Sequence, residues 1–147
     1  MSEIALLFHL VGAFVWLGGM AFVLFALRPA AFAVLEPPLR PRLLLAALER
    51  FFPLVWGSIA LLLASGAVLF ARAGGAAPAG WHAMLGIGVL MTAIFGHIHF
   101  GPFRRARRAA SAQDWPAVGQ SLQRIHPLVQ LNFALGWAAV ACVLLWR

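Results

Sequence analysis

The chain has 147 residues, of which 63% are hydrophobic and only 10% charged, with a mean hydropathy of +0.92. This excludes a soluble domain, which needs far more polar surface at this length, and predicts an integral membrane protein with one compact bundle. The net charge of +7 comes from arginine alone, as there is no lysine; arginines flanking apolar spans serve topology and anionic headgroups, so the partner is a lipid bilayer and not nucleic acid.

Ile4 to Leu27 is a charge-free run of 24 residues, long enough to cross a membrane with some tilt. Its start is acidic (Glu3) and the run exceeds a signal-peptide core, so it reads as a retained first span. At helical spacing His9, Ala13, Trp16, Met20 and Val23 share a face, with Gly12 and Gly19 beside it, and that face should point into the bundle. In the connection 28–50, Glu36, Pro37, Pro38 and Pro41 make a turn that no helix continues through. Pro41 then suits the first turn of a new helix, whose extramembrane beginning is Arg42 to Arg50. Phe51 to Ala71 is the second span. Ser65 and Gly66 offer it a small packing patch, Ser58 can bond back to its own helix, and neither serine calls for a functional role.

Arg72 to Gly80 is a short Gly/Ala/Pro loop, and the third span follows from Trp81 and His82 to about residue 103. His82 and His97 lie about 22 Å apart along a helix and within roughly 60° of each other around it. Their shared face carries Gly86, Val89, Ala93 and Gly96, small enough to admit a partner helix or a flat cofactor, whereas His99 points elsewhere. In the connection 104–124, Asp114, Trp115 and Pro116 read as an N-cap and the opening of a helix. That helix should run through Arg124 and His126 into the fourth span, roughly Leu128 to Trp146. Pro29, Pro53, Pro102 and Pro127 fall near one membrane face and predict kinks or unwinding there. Cys142 is alone in an apolar run and reads as a small buried residue.

The expectation is an all-α integral membrane protein: a single four-transmembrane-helix bundle over residues 1–147, with spans at about 4–27, 51–71, 82–103 and 128–146. The connections 28–50 and 104–124 together hold nine arginines, against Arg72 and Arg147 on the other side. The positive-inside rule then puts both termini on the non-cytoplasmic side of a bacterial-type inner (plasma) membrane, crossed in multiple passes.

No catalytic motif for hydrolysis or phosphate chemistry is present, and the four carboxylates (Glu3, Glu36, Glu49 and Asp114) lie outside the spans. What remains inside is imidazole, thioether and one amide, Asn132. Histidine is costly in lipid and turns inward to a partner, which makes each of these a candidate ligand, although an interfacial histidine such as His82 or His126 needs none. His9 and His82 share the outer depth and could bracket one haem b iron; His97 with His126 is the candidate pair for a second, inner haem. Arg72 at the outer site, and Arg104 and Arg105 at the inner one, are placed to neutralise propionates. Methionines 20, 84 and 91 could instead supply soft sulfur to Cu(I).

The stretches FHLVGAFVWLGGM and ALRPAA in the first span, RFFPLVWGSIALLLASG in the second and GHIHFGPFRRARR after the third resemble the short CopD-like membrane proteins. That family is named for copper resistance and is distantly similar to the HemJ-type protoporphyrinogen oxidases. The resemblance implies a four-helix membrane bundle and either copper handling or haem b chemistry, with His9 matching the first-span histidine of both families. Trp81 and His82 loosely resemble the W-x-H-x-K-like opening of the HemJ third span, whose lysine is absent here. The leading expectation is a haem b-binding, cytochrome-like electron-transfer protein working with a quinol or other membrane redox partner. The alternatives are copper uptake or handling through His9, Met20, His82 and Met84, a HemJ-like oxidase, or an accessory subunit in a homo-oligomer or larger membrane complex.

Overall fold

The structure, a computed structural model, describes residues 2–146. Arg147, one of the two outer arginines of the topology count, lies outside the described residues. Among those residues, four helical columns are long and apolar enough to cross a membrane: Glu3–Val34, Arg40–Ala76, Ala79–Ser111 and Trp115–Leu145. No strand interrupts them among the described residues, in keeping with the all-α expectation.

The first column joins helix α1 (Ser2–Phe22), a π-helical turn (Val23–Leu27) and α2 (Arg28–Val34). It ends at Leu35 in an extended conformation, just before Glu36, Pro37 and Pro38, where proline disfavours helical geometry in the residue ahead of it. Helix α3 (Arg40–Ala73) takes Pro41 in its first turn, where a missing N–H loses no helical bond. Its 34 residues extend about 50 Å, well beyond the ~30 Å hydrocarbon layer, so its arginine-bearing start projects from the membrane. The third column runs through α4 (Ala79–Ile98), a second π-helical turn (His99–Phe103) and α5 (Arg104–Ser111). Helix α6 (Trp115–Leu145) is capped by Asp114, whose carboxylate accepts from the Ala117 amide at 3.1 Å, as the sequence pattern anticipates.

The unwinding expected at the four prolines takes a specific form at two of them. Pro29 is the second residue after the first π turn and Pro102 sits inside the second. Widening the turn relieves the clash between the proline ring and the carbonyl four residues back. Pro53 and Pro127 instead lie within uninterrupted α-helix.

α1 packs chiefly on α3, and α4 chiefly on α6. Gly12 permits the first contact, since a Cβ there would come within 3.1 Å of the Ser58 carbonyl oxygen. Gly80 permits the second: its amide donates to the Trp146 carbonyl at 3.1 Å, and a Cβ would run into the backbone carbonyl of Cys142. The large buried side chains gather toward the arginine-rich ends of the helices, where Trp16, Phe52, Val55, Phe95, Ile98 and Phe103 form one cluster. Toward the opposite end several facing positions are Ala or Gly, and at those positions the side chains leave part of the space between the four helices unfilled.

Candidate functional site

That space is a cavity of about 390 Å³ bounded by α1, α3, α4 and α6. Ala13, Gly66, Ala67, Gly88, Gly136 and Ala139 contribute little volume to its wall. Trp16 and Phe70 supply its aromatic surfaces, and Met84 and Met91 its thioethers. Two polar side chains reach it, His9 and Thr92. The Thr92 hydroxyl is already committed, donating to the Gly88 carbonyl at 2.8 Å. His9 is therefore the one side chain on the wall that offers a nitrogen ligand, the Thr92 oxygen keeping only acceptor capacity.

Its tautomer follows from proton counting. His9 Nδ1 lies 3.0 Å from Ser65 Oγ on α3. Ser65 has a single hydroxyl proton and spends it on the Leu61 carbonyl at 2.6 Å, a short and local bond. Ser65 Oγ must then accept from His9 Nδ1–H, which leaves the Nε2 lone pair free for a ligand. A ligating imidazole held by a hydrogen bond to its other nitrogen is the usual arrangement at a metal. Ser65, read from the sequence as packing alone, is thus the residue that orients His9. The usable signal was depth: a histidine inside a span needs a partner, and Ser65 lies at the matching level of the neighbouring helix.

The other histidines are not brought to this cavity. His82 is exposed, its Nδ1–H donating to the Pro78 carbonyl at 3.2 Å. Phe70 stands between it and the cavity, packing edge-on against the His82 ring at 5.4 Å while lining the cavity itself. His97 is exposed as well, and so are Gly86, Val89 and Ala93. Most of the face shared by His82 and His97 therefore looks out of the bundle, only Val89 reaching the rim of the cavity, because the large side chains Met91, Phe95 and Ile98 claim the inward face of α4. His126 is half-buried in a separate groove with Arg28, Leu24 and Leu122, and His97 is not part of it. His99, turned away from the His82 face as expected, is half-buried among Phe52, Trp56, Phe95, Phe100 and Phe103 at ring distances of 4.9–6.1 Å. Its Nδ1 is buried without a hydrogen-bond partner. Arg72, Arg104 and Arg105 are exposed and line none of these spaces.

Neither expected histidine pair, His9 with His82 or His97 with His126, thus shares a wall. Among the described residues, no group of three or more His, Cys, Asp and Glu side chains is arranged to hold a metal ion. The cavity's remaining ligand class is thioether, and an imidazole with two thioethers is a soft donor set of the kind that selects Cu(I).

The profile of the family described as copper resistance protein D matches residues 45–146. This chain belongs to that family. No curated protein and no solved structure matches it. As a member of the copper resistance protein D family it is a copper-resistance-related membrane protein of several passes. The family match takes in most of α3 and all of the third and fourth columns, including Ser65, Met84 and Met91. His9 lies ahead of the match, on the column that closes the cavity from the fourth side.

Proposed function

We propose that this copper resistance protein D family member binds and handles Cu(I) within the membrane, with His9 Nε2 as nitrogen ligand and Met84 and Met91 as sulfur ligands. The observation that carries the reading is the placement of His9, held through Nδ1 by Ser65 Oγ at 3.0 Å, at a cavity whose other soft donors are thioethers. Ser65 holds the imidazole oriented and ready to ligate. The apolar wall excludes water, which would otherwise compete for a soft ion. In this reading the protein lies in a bacterial-type inner membrane with both termini on the non-cytoplasmic side, where the nine arginines of the two opposite connections would anchor it. The test is Cu(I) binding by the detergent-purified protein, read by metal analysis and chelator competition. One tightly held ion per chain that disappears in His9→Ala is the expected result. A wild-type protein that retains none overturns the reading.

A second reading is supported by the cavity's size. About 390 Å³ is more than a bare ion needs, and an apolar space of this size between bundle helices also suits a flat cofactor such as haem b. His9 would be one axial ligand and a methionine sulfur the other, in place of two histidines. Electron exchange with a quinol or another membrane partner follows only in this case. A reduced-minus-oxidised spectrum with a pyridine haemochrome assay separates the two: sharp α and β bands favour haem, and a colourless copper-bearing protein favours the first reading.

A further inference from the structure

Among the described residues Asn132 is the most deeply buried polar side chain, at 1% exposure, and sits on α6 against Met91 of α4. Its Nδ2 donates to the Met91 carbonyl at 3.1 Å, and only the amide nitrogen can donate to a carbonyl, so the orientation of the group is fixed. Oδ1 is left with no partner. A buried acceptor in a membrane core is retained at a penalty unless something occupies it. Asn132 lines a second cavity of about 20 Å³, room for one water-sized guest, and the thioether of Met20 lines the same space.

This small cavity lies between two larger ones. Trp16 is common to it and to the His9 cavity. Phe52 is common to it and to a pocket of about 340 Å³ at the arginine-rich end, which His99, Glu49 and Arg107 line. There Arg107 Nε lies 3.3 Å from Glu49 Oε1, and this ion pair leaves the pocket near neutrality. The other groove touching the small cavity carries Arg28, which repels a cation.

We infer that Met20 and Asn132 form a transient Cu(I) site at the centre of the bundle, through which the ion passes between the His9 cavity and the His99–Glu49 pocket, with Trp16 and Phe52 as the side chains that move aside. The inference rests on the copper reading above. Only a cation moves, with no change of oxidation state. One sulfur and one amide oxygen make a weak site, as conduction requires: an ion held too well at the midpoint would not leave. The aromatic partitions are held by neighbours of their own, Trp16 by Phe95 at 6.3 Å and Phe52 by Phe103 at 4.4 Å, so the route is closed at rest.

The experiment is Cu(I) flux into proteoliposomes reconstituted with the full chain, with Ag(I) as a redox-inert probe alongside. Met20→Leu and Asn132→Leu should each reduce flux about tenfold or more, the rate equivalent of one lost ion–dipole contact. Phe52→Leu, which thins the inner partition, should raise it. Gel filtration and thermal unfolding establish that each variant is folded. Unchanged flux in folded Met20→Leu overturns the route, as does a Phe52→Leu protein that conducts no faster than wild type. A wild-type protein that binds no Cu(I) in detergent overturns the copper reading itself, and that result is read before any flux is measured.

Discussion

His9 Nδ1 and Ser65 Oγ face each other across α1 and α3 at 3.0 Å, and the Ser65 proton is directed to Leu61. The pair therefore sets which nitrogen of His9 is open. Ser65→Ala should leave the bundle intact and lower Cu(I) affinity by roughly 10- to 100-fold, the usual penalty for losing the group that orients a ligating histidine. Chelator competition on the purified variant measures it. Wild-type affinity in Ser65→Ala would mean that Ser65 has no orienting role.

His82→Ala should bind Cu(I) as wild type does. The His82 ring is exposed, its Nδ1–H is taken by the Pro78 carbonyl, and Phe70 separates it from the cavity. The same titration decides the point, and a clear loss of affinity would return His82 to the site.

Gly80→Ala should destabilise the protein by about 1–3 kcal/mol, the range for forcing extra volume into a packed contact. The added methyl would meet the backbone carbonyls of Cys142 and Trp146, which cannot rotate out of the way as a side chain could. Thermal unfolding in detergent should show a lower midpoint; an unchanged midpoint would mean that the start of α4 and the end of α6 do not pack this closely.

Gln113→Gly should act in the opposite direction. Gln113 has φ 59° at the turn between α5 and α6. The Gln113 and Asp114 amides donate back to Ala110 and Ala109 in a left-handed helix cap that normally uses glycine. Removing the side chain should raise stability by about 1 kcal/mol. A drop in the unfolding midpoint would contradict this.

Topology is testable by cysteine labelling in a Cys142→Ala background. Gly75→Cys should react with an impermeant maleimide added outside the cell, and Pro38→Cys and Gln113→Cys should react only after lysis. The reverse pattern would mean that the arginine count does not set the orientation of this chain.

The membrane class and the four helices were legible in the sequence because lipid imposes a one-dimensional rule: about twenty apolar residues, then charge. Asp114 and Pro41 marked helix starts for equally local reasons. The inward face of α1 was legible as well, since His9, Trp16 and Met20 repeat at helical spacing and all three turn into the bundle. The rotation of α4 was not. Both of its faces carry apolar and small residues, and in lipid neither is driven inward by hydrophobicity, so periodicity pointed to the His82–His97 face while packing volume selected Met91, Phe95 and Ile98.

Composition and span length by themselves determined that this protein is an all-helical membrane protein and which residue types its chemistry can use. Only the tertiary structure decided which of them meet. That His9 leans on Ser65, that Met84 and Met91 share its cavity, and that Asn132 holds an unpaired oxygen at the centre all depend on contacts between residues 41 to 82 positions apart. Such contacts are set by how four apolar cylinders rotate against one another, and that rotation is governed by the volumes of the facing side chains, which no single helix encodes.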